Sequence, residues 1–255
     1  KEGSGSCAKM KKPYYDLNTY LRSIFGCRVQ KISLDAGLTC PNRDGRVGTG
    51  GCIYCNTRGS GTGASALGLT ITEQIERGKE FLRKRYKAQR FIAYFQSFSN
   101  TYGPHEKLKA LYDEACAVQD IVGLSIGTRP DCIDEAILTL VQGYAEDYLV
   151  WIEYGLQSIH DRTLAFINRG HDAACFRSAV EKTKGRGIKI CAHVVLGLPF
   201  EDRSDMLATA QAVSSMGIDG IKIHLLYVVK GTPMERLCRE KRYRCLEQGE
   251  YVELV

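Results

Sequence analysis

Three cysteines in one glycine-rich stretch have a spacing that could hold a metal centre. Two residues separate Cys52 from Cys55, and eleven separate Cys40 from Cys52. A structural zinc ion takes four protein ligands, but the next histidine, His105, follows Cys55 only after fifty positions and beyond another predicted strand. Three thiolates on an iron–sulfur cubane leave one iron open for a further ligand. The spacing therefore favours a [4Fe–4S] cluster, with zinc and fortuitous spacing as the alternatives.

The remaining cysteines and the composition indicate an ordinary globular protein. Eleven cysteines is an odd number, and 255 residues with 44% hydrophobic side chains can form a core without a disulfide framework. Cysteines without mutual ligand spacing are expected to pack as small apolar side chains; they are Cys7, Cys27, Cys116, Cys132, Cys175, Cys191, Cys238 and Cys245. Residues 1–10 lack the apolar stretch of a secretory signal, and no apolar run is long enough to span a membrane. We expect a cytoplasmic protein.

Strand and helix patterns alternate along the chain. Short apolar runs predict six strands, at 28–35, 91–95, 121–126, 148–154, 188–196 and 218–227. Helical periodicity between them predicts helices at 71–86, 108–118, 133–141, 160–167, 172–184 and 204–216, with only a short charged helix beyond Thr232. Such alternation is typical of a parallel sheet covered by helices. Six units predict an α/β fold, a partial (β/α)6 TIM-like barrel, whose site lies at the carboxyl ends of the strands.

The predicted organisation has three parts. Residues 1–27 form a leader or helical extension, residues 28–235 form the core, and residues 236–255 form a short C-terminal extension. The cysteine loop, residues 37–68, follows the first strand of the core, and its glycines allow the backbone to approach the sulfur atoms closely. The net charge of +6 is concentrated in two basic segments, 79–90 and 236–244. Such segments are usually solvated helix faces, and a polyanion such as RNA is the alternative partner.

The phrase CPNRDG…GGCIYCN, which begins at Cys40, resembles the radical S-adenosylmethionine (SAM) superfamily. The usual motif of that superfamily has three residues between its first two cysteines, whereas the wider spacing here is similar to YtqA/YhcC-type proteins and Elp-type wobble-uridine enzymes. The resemblance implies a [4Fe–4S] cluster on Cys40, Cys52 and Cys55, and SAM as the second cofactor. It also implies that SAM is bound by residues at the strand ends, namely Gln96, Ser97, Glu153, Gln157, Arg169, His193 and Leu226.

The resemblance also implies a reaction. A reduced cluster would cleave SAM to methionine and a 5′-deoxyadenosyl radical, which removes a hydrogen atom from the substrate, and no conventional acid–base or nucleophile set is required. It points to tRNA as the substrate, at the wobble uridine, and to an electron donor such as flavodoxin or ferredoxin. A small-molecule substrate is the first alternative. A non-catalytic iron–sulfur or zinc protein that binds RNA is the second.

Overall fold

The computed structural model describes residues 14–59 and 61–255, so Cys7 and residues 1–13 of the predicted leader lie outside the described residues. Six strands form one parallel sheet in which each strand pairs with the next along the chain. They are β1 (Val29–Leu34), β2 (Arg90–Phe95), β3 (Ile121–Thr128), β4 (Leu149–Gln157), β5 (Lys189–Leu196) and β6 (Gly220–Leu225). The sheet curves into a partial TIM-like barrel, which confirms the predicted fold class.

Helices connect the strands and cover most of the outer face of the sheet, whereas the outward side chains of β6 remain exposed. Over residues 14–59 and 61–255 the α-helices are α1 (Leu17–Phe25), α2 (Ile71–Tyr86), α3 (His105–Cys116), α4 (Glu135–Tyr144), α5 (Asp161–Phe166), α6 (Ala173–Thr183), α7 (Arg203–Ser215), α8 (Pro233–Arg239) and α9 (Gln248–Leu254). Thr70 and Glu73 begin α2 with a reciprocal capping box, as Asp202 and Asp205 begin α7. Within this described part of the chain, no helix combines the length and the apolar character needed to cross a membrane.

The two faces of the sheet have different chemistry because successive side chains of a strand point to opposite faces. The outer face packs against the helices in the main apolar core, where Phe95 of β2 contacts Tyr112 of α3 and Tyr154 of β4 contacts Phe176 of α6. Polar and charged side chains on the intervening positions instead meet inside the barrel; they include Lys31, Tyr94, Ser125, Glu153, His193, Lys222 and His224. The fold therefore places titratable groups in its interior.

Helix α1 packs against the amino ends of the strands, opposite the predicted site. Leu21 is buried against Val29 and Ile92, and Tyr20 meets Trp151 edge to face with ring centres 5.8 Å apart. Asp16 caps the helix by accepting a hydrogen bond from the Thr19 amide. These contacts cover the end of the barrel that carries none of the predicted cluster ligands.

The C-terminal part of the chain differs from its sequence-based prediction. The prediction of only one short charged helix beyond Thr232 was wrong, because α9 follows α8. Glu247 and Glu250 form a capping box at the start of α9, and Arg244 forms a salt bridge with Glu250. This short helix has no apolar stripe of its own, so hydrophobic periodicity does not reveal it.

Candidate active site

A cavity of about 370 Å³ opens at the carboxyl ends of the strands and gathers nearly all predicted site residues. Those that line it are Cys40, Cys52, Cys55, Gln96, Glu153, Gln157, Arg169, His193 and Leu226. Ser97 does not line it: this side chain is buried, lies against Gly61, and has an Oγ without a hydrogen-bond partner among the described residues. A larger cavity of about 760 Å³ lies beside the outer part of the cysteine loop and contains none of these residues.

Backbone contacts hold the two close cysteines against the rest of the barrel. The amide of Ile53 donates to the carbonyl of Ile167 after α5 at 3.0 Å, and the carbonyl of Ile53 accepts from the amide of Met234 at the start of α8, also at 3.0 Å. Arg43 donates to the carbonyls of Cys55 and Asn56 at 3.1 and 2.5 Å. The loop is therefore anchored at both ends of its Cys-x-x-Cys segment.

Two donors approach the sulfur of Cys52. Arg169 Nη1 lies 3.6 Å from Sγ, and Asn42 Nδ2 lies 3.9 Å away. Asn42 also donates to the carbonyl of Asn168 at 2.6 Å, and Arg169 Nη2 donates to the carbonyl of Gly155 at 2.6 Å. Donors of this kind stabilise the negative charge of a ligating thiolate. The guanidinium that the family resemblance assigns to SAM thus also contacts a predicted cluster ligand, Cys52.

The donor set fits a cluster better than a zinc ion. A tetrahedral zinc ion with bonds of about 2.3 Å would bring its thiolates to within roughly 3.8 Å of one another. In the described chain, the sulfur atoms of Cys40, Cys52 and Cys55 do not all lie within 4.8 Å of one another. Burial raises the pKa of Cys55, and Arg43 opposes that rise. The buried Nε of Arg169 has no hydrogen-bond partner among the described residues, which leaves a donor for an anionic group beside the sulfurs.

Glu153 is the centre of an ion-pair cluster inside the barrel. Its carboxylate is buried and accepts hydrogen bonds from Lys31 Nζ, Ser125 Oγ at 2.5 Å and His193 Nε2 at 2.6 Å, while Lys222 Nζ lies 3.9 Å away. Burial acts to raise the pKa of Glu153, but the hydrogen bond from His193 and the charges of Lys31 and Lys222 outweigh it. The pKa is therefore well below its usual value, and the carboxylate is ionised at neutral pH.

Cys191 joins this cluster without making it a cation site. One ligand atom each from Glu153, Cys191 and His193 lies within 4.8 Å of the others. Two ammonium groups already interact with the same carboxylate, so it has no excess negative charge to attract a divalent ion. Burial raises the pKa of Cys191 to about 12, so this thiol is neutral.

Three further predicted SAM contacts differ in their backbone conformation, hydrogen-bond partners and packing. Gln157 follows an irregularity in the β4–β5 pairing and has a φ of 79°, an uncommon left-handed conformation that directs it at the cavity edge. Both ring nitrogens of His193 have partners in the barrel, Glu153 and His224. Leu226 is buried and belongs to an apolar cluster with Val195 and Met234. Their contacts to SAM stay predictions.

Several residues of the site received no role in the sequence analysis. Arg129 is buried after β3, forms a two-pronged pair with Asp131 at 2.8 and 2.7 Å, and donates to the carbonyl of Arg169 at 2.8 Å. Because Asp131 is only two positions away, the sequence alone could have indicated this ion pair. Asn42 and His224 gave no such signal, because their partners come from distant parts of the chain.

Known proteins are similar to this chain over most of its length. The model of the radical SAM superfamily matches residues 43–213, and that of the radical SAM C-terminal domain matches residues 218–255. YtqA of Bacillus subtilis is 42% identical over 244 residues, which are 96% of this chain and 76% of YtqA. YhcC of Escherichia coli K12 is 40% identical over 228 residues, 89% of this chain and 72% of YhcC.

A solved structure shows the same fold. The Elp3 of the archaeon Methanocaldococcus infernus superposes with a TM-score of 0.66 at 16% identity, covering 89% of this chain and 52% of that one. The match to the superfamily model spans the cysteine pair, Glu153, Arg169 and His193. The chain therefore belongs to the radical SAM superfamily and is an enzyme of the kind that uses a [4Fe–4S] cluster and SAM.

Proposed function

We propose that this radical SAM enzyme modifies tRNA, at the side chain of a wobble uridine. The proposal rests on the Elp-type resemblance of the wide cysteine motif and on exposed positive charge at the carboxyl edge of the sheet. Cys40, Cys52 and Cys55 would hold the cluster, whose chemistry when bound is the reductive cleavage of SAM to a 5′-deoxyadenosyl radical. The protein orients the reactants and excludes water from them.

All but one of the proposed SAM contacts line the cavity, and Ser97 is the exception; the full set is Gln96, Ser97, Glu153, Gln157, Arg169, His193 and Leu226. Arg169 offers a fixed positive charge and an Nε that has no hydrogen-bond partner within the described part of the chain, which suits the methionine carboxylate. Gln96 and Gln157 offer amides at the same cavity. Leu226 offers an apolar surface for the adenine. Ser97 is the weakest of the proposed contacts because it lies behind the cavity wall.

Exposed basic residues at the carboxyl edge of the sheet, the edge at which the cavity opens, are the observation that carries the proposal for a polyanionic substrate. The cysteine loop follows β1 and α8 follows β6, so both lie at the carboxyl edge of the parallel sheet. Arg46 and Arg58 are exposed on the loop, and Arg236 and Arg239 are exposed on α8. These four arginines are called the basic rim, and phosphate groups of RNA are natural partners for them.

The other predicted basic segment, 79–90, ends on the side of the barrel opposite the cavity. Helix α2 starts at the carboxyl edge and returns to the amino end of β2, so the charges at its end are remote from the cavity. Lys79 is buried and pairs with Glu76, and Arg83 pairs with Asp120. Lys84 and Arg85 remain exposed there and provide a matched control for the rim.

Charge reversal tests the proposal. The double variant Arg236→Glu/Arg239→Glu should weaken binding of bulk undermodified tRNA by about 10-fold or more and flatten its salt dependence, because rim phosphate contacts are lost. Lys84→Glu/Arg85→Glu changes the same net charge at the opposite end and should leave binding within about 2-fold. Equal losses in both variants would contradict a specific rim.

Activity with tRNA is the second test. In the reconstituted enzyme with SAM and dithionite, undermodified tRNA should raise the formation of 5′-deoxyadenosine and change the mass of a tRNA nucleoside. Formation of 5′-deoxyadenosine that is indifferent to tRNA would refute the tRNA proposal and redirect the search to a small-molecule substrate. An electron donor such as flavodoxin or ferredoxin would replace dithionite in the cell. The division into a core, 28–235, and an extension, 236–255, stays a proposal.

A further inference from the structure

A row of three side chains leads from the buried centre of the barrel to the cavity. Glu153 of β4 accepts a hydrogen bond from His193 Nε2 at 2.6 Å, and His193 Nδ1 lies 3.3 Å from Nε2 of His224 on β6. The two imidazole rings are 5.1 Å apart at their centres. Glu153, His193 and His224 all line the cavity. Glu153 and His193 are also predicted SAM contacts, but that prediction does not require a hydrogen-bonded row that extends to His224.

The direction of the hydrogen bonds follows from the charge of Glu153. An ionised carboxylate can only accept, so His193 Nε2 carries the hydrogen. A neutral His193 then has a bare Nδ1, which accepts from Nε2–H of His224. The bare nitrogen of His224 is consequently Nδ1, and it has no hydrogen-bond partner among residues 14–59 and 61–255. The row ends in a lone pair beside the cavity.

The surrounding charges keep this lone pair free of a proton. Burial, His193 and Lys222 lower the pKa of His224 to about 4, against the opposing effect of Glu153. Burial also lowers the pKa of His193, and Glu153 opposes that change. The titratable groups that face the row from the other strands are Lys31 of β1, Tyr94 of β2, Glu153 of β4, Cys191 of β5 and Lys222 of β6. Both histidines are neutral at pH 7.

We propose that His224 is a catalytic residue that accepts a proton from an N–H or O–H group of the substrate through Nδ1, with His193 and Glu153 as positioning residues. The role resembles that of a base oriented by a third group in other enzymes. It rests on the proposed function, because the substrate must occupy this cavity. It adds a proton acceptor to a reaction for which the cysteine motif indicates only hydrogen-atom transfer.

The step is a proton transfer without a change of oxidation state. The N–H or O–H bond of the substrate breaks, its electron pair stays on nitrogen or oxygen, and the proton forms a new bond to Nδ1 of His224. The substrate group gains one negative charge and the imidazole one positive charge. Lys222, two residues before His224 on the same face of β6, places an ammonium group where it can stabilise the new negative charge. An N–H or O–H beside a carbon that has lost a hydrogen atom is more acidic than in the intact substrate.

The tautomer of His224 can be read directly. The sequence has only five histidines, so heteronuclear NMR of imidazole nitrogens in the cluster-loaded, 15N-histidine-labelled protein can resolve them, with His193→Gln and His224→Gln for assignment. We expect hydrogen on Nε2 and none on Nδ1 for both residues from pH 6 to pH 8. A hydrogen on Nδ1 of His224 in this range would overturn the proposal whatever the substrate is.

Chemical rescue tests the catalytic role. In the reconstituted enzyme with undermodified bulk tRNA, His224→Ala should lower formation of the modified nucleoside by about 100-fold or more. Added imidazole should restore a measurable part of it, and the rescue should decline as imidazole is protonated below roughly pH 7. The wild-type rate should show no such decline between pH 9 and pH 6. His160→Gln, on a histidine that contacts α7 instead of the cavity, should leave the rate unchanged.

The positioning role has a separate readout. His193→Gln retains a donor and an acceptor and should keep more activity than His193→Ala. If His193 had only a structural role, the activity of each variant would fall in proportion to its loss of stability. If His224→Ala kept the activity of the wild type, or if its loss of activity were not relieved by imidazole, the inference would be overturned. Failure of tRNA to stimulate the wild-type enzyme would instead count against the tRNA proposal alone, and the NMR result would still decide the assignment of His224.

Discussion

Replacing Glu153 by Gln tests the ion-pair cluster at the centre of the barrel. The variant removes the one carboxylate that interacts with Lys31, Lys222 and His193 and leaves two ammonium groups facing a neutral amide. Glu153 is 1% exposed, so water has little access to the new amide, whereas the side chains of Lys31 and Lys222 are 20% and 39% exposed and remain partly hydrated. Breaking a buried pair of this kind lowers the free energy of unfolding by about 3–5 kcal/mol. For a chain of this size that corresponds to a fall in Tm of about 10 °C.

The pH dependence gives the prediction its sign. The folded-state pKa of Glu153 lies below the ordinary value of 4.5, so its stabilising contribution is present above the unfolded-state pKa. As the pH falls below about 4.5, the unfolded chain takes up a proton that the folded chain does not, and the contribution declines toward the folded-state pKa. The stability difference between wild type and Glu153→Gln should therefore be constant from pH 8 to pH 5.5 and smaller at pH 4.

Urea unfolding of both proteins under anaerobic conditions measures this difference. Glu135→Gln is the matched control, because Glu135 also pairs with a cation, Arg186 at 2.8 Å, but its side chain is 73% exposed. Such a surface pair contributes about 0–1 kcal/mol. A loss of less than about 1 kcal/mol in Glu153→Gln, or a loss equal to that of the control, would refute the interpretation of the cluster as a buried, stabilising network.

Three further substitutions test the loop that carries the cysteines. Gly170→Ala should lower the free energy of unfolding, measured in urea, by about 1–2 kcal/mol. Gly170 has a φ of 76°, and a Cβ there would lie 2.9 Å from Val47 Cγ1. Asn42→Leu removes a donor near Cys52 and the bond to the Asn168 carbonyl, so anaerobic iron and sulfide analysis should show faster cluster loss in air. Arg129→Met leaves Asp131 partly buried and unpaired and should lower Tm by about 5–10 °C in a calorimetric scan; unchanged values would contradict these roles.

The alternation of strands and helices could be predicted because each buried strand of a parallel sheet is a short apolar run. The ends of strands were less predictable. Strand β3 continues to Thr128, where hydroxyls of Ser99 and Thr101 bond to Thr128, and β6 stops at Leu225 because its pairing with β5 ends there. These limits depend on neighbouring elements and are absent from the local pattern.

The meeting of Cys40, Cys52 and Cys55 at one cavity could be predicted because the three cysteines stand within one loop and their spacing is a local property. The row from Glu153 to His224 could not. Its members come from β4, β5 and β6, and they meet because His193 stands beside Gly155 on one side and Lys222 on the other in the parallel pairing. Register between distant strands is a tertiary property. The same limit hid the contact of Arg169 with Cys52, which joins residues 117 positions apart.

Anaerobic cleavage of SAM by cysteine variants tests most directly the claim that this cavity is a radical SAM site. Wild type, Cys52→Ala and Cys116→Ala would be reconstituted with iron and sulfide, and 5′-deoxyadenosine would be quantified after addition of SAM and dithionite. We predict that wild type and Cys116→Ala form it, because Cys116 lies on α3 away from the cavity, whereas Cys52→Ala loses both the cluster and the product. No product from fully loaded wild type, or undiminished product from Cys52→Ala, would contradict the claim.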